Sequence, residues 1–278
     1  MTKPFVKWAG GKYRIAEHLN SYRPKEFNTY FEPMVGSGGL FFKNPPKKAY
    51  LSDINSKLID TYKAIKDNVV LEHLLNSLWD LERIPHTKES YKKIRDKFNE
   101  DSLHILETAS YFIYLNKMCF NGLYRENSKG HFNVPMGDKR TFMIDDKNLR
   151  SVNELLQNVE IACHSYEDIK PKKGDFVYFD PPYIPLDKVS FTQYSKSDFG
   201  EKDHRKLAEF CSKLDKRGIN YMISNSNTDM TKDIYVHSKR IQSHEIQVMR
   251  TISGSKNNRG MAGELIITNY NEYDGRLF

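Results

Sequence analysis

Residues 180–183 read Asp-Pro-Pro-Tyr and follow directly on Phe176-Val177-Tyr178-Phe179, an apolar and aromatic run of strand length. A buried strand that ends in a carboxylate, two rigid prolines and an aromatic ring suits methyl transfer to an exocyclic amino nitrogen of a flat ring. Asp180 can accept a hydrogen bond from the amino group. Proline fixes its own φ and restricts the residue before it, so Pro181 and Pro182 hold Asp180 at the strand tip, and the Pro181 carbonyl can serve as a second acceptor. Tyr183 can stack on the ring. Taken alone, the tetrapeptide also fits, less well, a plain strand-to-turn junction.

The elements that must position these residues are legible on both sides. Thr29-Tyr30-Phe31-Glu32-Pro33 reads as a strand, Val35-Gly36-Ser37-Gly38-Gly39 as a glycine turn, and Leu40-Phe41-Phe42 as the start of a helix that Pro45-Pro46 ends. Ala49 to Asp53 reads as the next strand, giving a strand–turn–helix–strand unit of the doubly wound type. Glycines between a strand and a helix let backbone approach a ligand closely, and an acid such as Asp53 at the next strand's end can bond ribose hydroxyls; a tight loop with a helix cap fits the same residues. Phe41 stands where a dinucleotide fingerprint would place its third glycine, and no Lys-Ser/Thr pair of a phosphate loop follows. With Asp-Pro-Pro-Tyr on a later strand of the same sheet, these departures favour S-adenosyl-L-methionine over a dinucleotide.

Asn55 to Leu75 reads as one helix and residues 76–115 as charged helices. Asn116 to Arg125 and His131 to Pro135, around Asn127-Ser128-Lys129-Gly130, read as a hairpin. The α/β pattern returns with Ile161 to Cys163, Asp175 to Phe179, a helix over His204 to Leu214 and a strand over Tyr221 to Asn225. Glu245 to Arg250 and Leu265 to Asn269 close the chain as two antiparallel strands. Ser224-Asn225-Ser226 lies at a strand end from which it can support the catalytic loop.

The 278 residues carry 43 Lys and Arg against 36 Asp and Glu, a net charge of +7 that favours a polyanionic partner. Cys119, Cys163 and Cys211 are scattered, which points neither to a disulfide framework nor to zinc, and no metal is expected. Lys3, Lys7 and Lys12 precede no apolar segment, and no run reaches membrane-spanning length. A cytoplasmic enzyme without a membrane partner is the expectation.

These motifs resemble the Dam family of DNA adenine-N6 methyltransferases over nearly the whole chain. Lys7-Trp8-Ala9-Gly10-Gly11-Lys12 looks like its N-terminal signature, Phe31-Glu32-Pro33 with Gly36 and Gly38 like its donor loop, and Ser52-Asp53-Ile54-Asn55 like its ribose strand. Asn121-Gly122-Leu123-Tyr124-Arg125 and Phe132-Asn133-Val134-Pro135 look like its recognition hairpin, Asp180-Pro181-Pro182-Tyr183 like its catalytic motif, and Phe191-Thr192 with Tyr194 like the aromatic loop after it. The order of motifs is that of the α class. The resemblance implies an α/β, Rossmann-like methyltransferase fold with a mixed, mostly parallel sheet, residues 1–56 and 159–278 forming the catalytic domain and 57–158 a helical and β-hairpin target-recognition domain. It implies that Trp8, Lys12, Glu32, Gly36, Gly38, Asp53, Ile54 and Asp180 bind the donor. Lys7 would contact a base at the start of the target, Phe120 and Asn121 would lie by the space the target base vacates, and Leu123, Arg125 and Pro135 would read other base pairs. Lys7 and Arg125 also suit phosphate contacts or solvated charges, and Trp8 suits the core. Relatives commonly carry arginine after the glycine that follows Asn-Val-Pro; here Gly137 is followed by Asp138, so either Lys139 or Arg140 substitutes or the target differs from the usual GATC.

The implied partner is double-stranded DNA, with the target adenine flipped out of the stack, a monomer acting on one strand at a time, and a separate restriction endonuclease as a possible companion in a bacterium, phage or mobile element. Asp187 to Phe199 suits a lid, and Ser253 to Gly260 a phosphate-tracking loop or an ordinary hairpin connection. An RNA adenine or DNA cytosine-N4 methyltransferase and a silent DNA-binding protein are the competing readings. Cytosine-N4 enzymes usually begin the motif with serine, and a silent binder has no need of an intact donor loop.

Overall fold

The computed structural model describes residues 1–185, 199–238, 240–249 and 261–271. The expected lid over Asp187–Phe199, apart from Phe199 itself, and the basic loop Ser253–Gly260 lie outside the described residues. The strands are β1 (Tyr30–Pro33), β2 (Ala49–Asp53), β3 (Val159–Cys163), β4 (Phe176–Phe179), β5 (Asn220–Ser226), β6 (Gln242–Met249) and β7 (Met261–Thr268). They form one sheet in the order β3-β2-β1-β4-β5-β7-β6. β1, β4 and β5 run parallel, and β7 pairs antiparallel with both β5 and β6. The helices among the described residues are α1 (Ala16–Ser21), α2 (Gly39–Lys43), α3 (Ser56–Lys66), α4 (Asn68–Arg83), α5 (Lys88–Phe98), α6 (Ile105–Met118), α7 (Asp146–Leu156), α8 (Glu201–Lys216) and α9 (Asp229–Tyr235). This is the α/β, mostly parallel sheet that the sequence implies.

One expected helix is two. Asn55 to Leu75 breaks at Asp67, whose backbone is extended (φ −76°, ψ 122°) and whose carboxylate accepts the Val69 and Val70 amides at 2.9 and 3.0 Å. An aspartate satisfies two orphan amides of a new helix better than it continues an old one. Phe41, the residue that spoils the dinucleotide fingerprint, is 1% exposed. It stands in the core with Leu40 and Phe42, so α2 packs through an aromatic ring where a fingerprint helix packs through a glycine.

The chain forms two compact units. The first comprises residues 1–14, 36–45 and 52–164; the second comprises 15–35, 46–51 and 165–278. In the first, α6 is buried along most of its length, including Phe112, Ile113, Tyr114 and Leu115. In the second, the sheet separates two kinds of side chain. Register pairs Phe31 with Val177, Phe179 with Ile223 and Ile223 with Ile267, and these form an apolar cluster with Leu207, Cys211 and Leu214 of α8. Because alternate residues face opposite ways, Tyr30, Glu32, Tyr178, Ser224 and Glu264 share the other face.

Candidate active site

Asp180-Pro181-Pro182-Tyr183 leaves β4 at Phe179, and Asp180, Pro182, Tyr183 and Ile184 are each held by a buried side chain. Ser224 Oγ donates to Asp180 Oδ1 at 2.9 Å and lies 2.8 Å from the Tyr178 hydroxyl. A serine has one proton, which Asp180 takes, so Tyr178 donates to Ser224 and a chain of hydroxyls points its donors at the carboxylate. Burial pushes the Tyr178 phenol well up, with the Asp180 charge adding to it, so this donor keeps its proton. Asp180 is half-buried. Replacing Ser224 with alanine would leave the buried Tyr178 hydroxyl without its acceptor, and we expect a stability loss of about 1–3 kcal/mol, read as a lower denaturation midpoint in urea.

Beyond Asp180 the backbone is clamped. Asn225 Oδ1 accepts the Ile184 amide at 3.0 Å, and Ser226 Oγ donates to the Ile184 carbonyl. Ile184 itself is buried. Tyr183 is half-buried, and its hydroxyl donates to Glu264 Oε1. Loss of water and the nearby Asp180 and Glu264 charges hold this phenol well above its ordinary range.

His204, in the first turn of α8, is fully buried and lies with Nδ1 2.7 Å from the Tyr235 hydroxyl. Its ring also bonds the Pro182 backbone. Proline offers only a carbonyl there, so the imidazole donates to Pro182 and accepts from Tyr235. Burial lowers the His204 pKa from 6.5 to about 4. The unfolded chain therefore takes up a proton at this site as pH falls through 6.5, and the folded one only near 4. Stability is full above pH 6.5 and is lost below it, by on the order of 3 kcal/mol at pH 4. We expect the urea midpoint to fall across that window and the slope to shrink in His204→Gln.

The first unit carries the glycine turn. Gly36 and Gly38 have φ of +49° and +66°. A Cβ on Gly36 would stand 2.5 Å from Trp8 Cδ1, so the half-buried Trp8 indole packs against bare backbone. Asp53 braces the turn: Oδ2 accepts the Gly36 amide at 3.0 Å and Oδ1 accepts the Asn55 amide at 3.0 Å. Burial raises the Asp53 carboxyl, and the backbone amides oppose that shift. The amides of Gly36, Ile54 and Asn55 leave the carboxylate one further acceptor site for a ligand. Ile54, beside it, is 77% exposed. Lys12 is buried and bonds the Gly10 carbonyl. Trp8 stacks on Tyr124 with centroids 5.3 Å apart, and Tyr124 on Phe112 at 5.4 Å.

The hairpin forms as two short bridges, Cys119 with Met136 and Glu126 with Phe132, around the turn at Gly130. Phe120 is 44% exposed, and Asn121, also exposed, has a φ of +55°. Arg125 Nε donates to Asn133 Oδ1 at 2.7 Å; Leu123 is half-buried and Pro135 exposed. Lys139 is exposed, and partial loss of water together with the charge of Lys7 lowers its pKa. Arg140 is exposed and makes long contacts to the Gly137 and Lys139 carbonyls, at 3.4 and 3.3 Å. The buried Asn116 ties the region together. It accepts the Lys7 amide at 2.8 Å and donates to the carbonyls of Lys7 and Gly122 at 2.8 and 3.2 Å.

In the second unit the expected site residue Glu32 is buried and accepts the Tyr30 hydroxyl at 2.7 Å. Sequence reasoning missed Tyr178, His204, Glu264 and Asn116. The spacing of Tyr178 two residues before Asp180, on the same strand face, and the lone acid opening Glu264-Leu265-Ile266-Ile267 are signals that were present. His204 reads as an ordinary helix residue, and Asn116, expected at the start of the hairpin, stands instead near the end of α6.

Known proteins resemble this chain over nearly its whole length. A type II methyltransferase of Lactococcus lactis subsp. cremoris, M1.LlaDCHI, is 39% identical over 277 residues, covering 96% of this chain and 95% of its own. M.MjaIII, a type II methyltransferase of Methanocaldococcus jannaschii, is 42% identical over 289 residues, covering 96% and 99%. The DNA adenine methylase of Escherichia coli K12 is 34% identical over 269 residues, covering 95% and 94%. Residues 8–252 match the D12 class N6 adenine-specific DNA methyltransferases, and with a match of that extent the chain belongs to this family.

Proposed function

We propose that this N6-adenine DNA methyltransferase acts on an adenine flipped out of double-stranded DNA, within GATC, and that the residues above divide the work by unit. The observation that carries the reading is the Tyr178–Ser224–Asp180 chain, which fixes a carboxylate as an acceptor at the end of β4.

Methyltransferases of this family use S-adenosylmethionine. The first unit fits it: Gly36 offers backbone with no room for a Cβ beside Trp8, Asp53 offers spare acceptor capacity for ribose hydroxyls, and exposed Ile54 offers an apolar surface. Trp8, Lys12, Gly36, Gly38, Asp53 and Ile54 hold the donor there. The donor supplies an electrophilic methyl group.

In the second unit, Tyr183 offers its ring to the adenine. Asp180 and the Pro181 carbonyl accept the two N6 hydrogens, which draws the nitrogen lone pair out of conjugation. Asp180 favours the positive charge that grows on nitrogen, and the proton leaves afterwards. Positioning carries most of the rate. Pro182 keeps the motif in register through its bond to His204.

Lys7, Phe120, Asn121, Leu123, Arg125 and Pro135 are the DNA contacts. Lys139 takes the place of the arginine that Asp138 displaces, with Arg140 next to it in sequence. The type II names of two relatives support a companion restriction endonuclease acting separately. A cytoplasmic monomer suits that role, and no helix among the described residues is long and apolar enough to cross a membrane. Nor do the described residues contain a cluster of His, Cys, Asp and Glu able to hold a metal ion.

Long-read sequencing of DNA treated with the purified protein and S-adenosylmethionine tests the reading. N6-methyladenine confined to GATC supports it in full. Methylation at another short motif moves specificity to Asp138-Lys139-Arg140, and absence of methylated adenine overturns it.

A further inference from the structure

We propose that Glu264 is a positioning residue for base methylation: it grips the Tyr183 hydroxyl and so sets the plane of the ring on which the adenine stacks. This rests on the reading of Tyr183 as the stacking platform.

β7 runs antiparallel to β5 with Glu264 opposite Ser226 and Ile266 opposite Ser224. Directly paired residues project to the same face, so Glu264 points the same way as Ser224, which holds Asp180. Two residues nearer the end of β5 than Ser224, this register brings Glu264 to Tyr183. Glu264 is 5% exposed. A carboxylate taken out of water is costly unless it is bonded, and an apolar residue at this strand position would have served the core with less loss. The Tyr183 hydroxyl donates to it, a charge-assisted bond.

The backbone after Tyr183 is already fixed through Ile184, Asn225 and Ser226. A bond at the far end of the ring restrains its rotation about the side-chain bonds. Stacking on a purine needs parallel planes, so the anchored phenol is prepared before the base arrives.

The test is a double-mutant cycle in the full chain, with single-turnover methylation as the first readout and fluorescence of DNA carrying 2-aminopurine at the target position as the second. Tyr183→Phe keeps the ring and loses the anchor; Glu264→Ala loses the anchor from the other side; Glu264→Gln keeps an acceptor. We expect Tyr183→Phe and Glu264→Ala each to slow methyl transfer by about tenfold to a hundredfold, the double variant to be no slower than either, and Glu264→Gln to recover most of the rate. Binding of S-adenosylhomocysteine stays unchanged throughout, and stacking-dependent quenching of the flipped 2-aminopurine weakens in the two anchor-loss variants. Multiplying losses in the double variant, equal losses in Glu264→Gln and Glu264→Ala, or a full rate in Tyr183→Phe would each overturn the proposal. If Glu264→Ala does not fold, Tyr183→Phe and Glu264→Gln still decide it. A fully active Tyr183→Ala would instead remove the platform reading beneath it.

Discussion

Asp180→Ala is expected to yield a folded protein that binds DNA and S-adenosylhomocysteine yet transfers methyl groups at least about a hundred to a thousand times more slowly. Asp180 is half-buried at the end of β4, outside the apolar cluster formed by Val177, Phe179 and Ile223. Its removal therefore opens no cavity in the core. The hydroxyl chain behind it survives, because Tyr178 still donates to Ser224. What disappears is the acceptor that draws density from N6 and faces the growing positive charge. Asp180→Asn sharpens the test. An asparagine can still accept from Ser224 through its carbonyl, which turns its amide, a donor, toward the amino group. A donor facing a donor is no better than alanine, so we expect both variants to fail alike. Single-turnover assays with a labelled methyl group measure the loss, and thermal stabilisation by S-adenosylhomocysteine confirms that donor binding persists. Turnover near the wild-type level in either variant would remove Asp180 from the chemistry.

The strands that carry this chemistry were readable in the sequence because their local signals agree with their tertiary surroundings. β2 runs from Ala49 to Asp53 as the apolar run and terminal acid indicate, and β4 ends where Asp-Pro-Pro-Tyr begins. The glycine turn was readable for the same reason, since Gly36 and Gly38 adopt backbone conformations that other residues rarely take. The break at Asp67 was harder, because helical periodicity continues through Leu58, Ile59, Tyr62 and Ile65 into Leu71 and Leu74. Only the capping carboxylate marks the division, and one side chain does not disturb a hydrophobic period.

The supports behind the motif were the least legible. Glu264 and Tyr183 are 81 residues apart in sequence, and Ser224 and Asp180 are 44 apart. Pairings of that kind depend on strand order, which follows from β7 inserting between β5 and β6. Nothing in a linear pattern specifies that insertion. His204 shows the same limit. Its position on α8 reads as a helical residue of no special kind, and its role appears only when Tyr235 and Pro182 are brought to its two ring nitrogens. Asn116 is one more case: three bonds to Lys7 and Gly122 make it the hinge-pin of the hairpin base, yet its neighbours in sequence are ordinary members of a buried helix.

Gly36→Ala should weaken donor binding by about tenfold or more and destabilise the fold by about 2–4 kcal/mol. About 1–2 kcal/mol of that comes from holding a non-glycine residue in the left-handed region, and the rest from overpacking. The residue cannot slide away to relieve the strain. Its amide is held by Asp53 and its carbonyl accepts the Tyr62 hydroxyl, both at 3.0 Å. The new methyl would meet Trp8 at 2.5 Å from Cδ1 and 2.9 Å from Nε1, so the indole must move. Trp8 is stacked in turn on Tyr124, and its shift disturbs the base of the hairpin as well as the turn. Donor affinity falls because both Trp8 and the Asp53 bond that shapes the turn are displaced together. Calorimetric titration with S-adenosylhomocysteine gives the affinity, and urea denaturation the stability. Adding Trp8→Ala to Gly36→Ala separates the two causes. Removing the indole relieves the clash, so part of the stability lost to Gly36→Ala returns relative to Trp8→Ala alone, while the left-handed penalty stays. Unchanged stability and affinity in Gly36→Ala would show that the turn is not the rigid cradle its φ angles and neighbours describe.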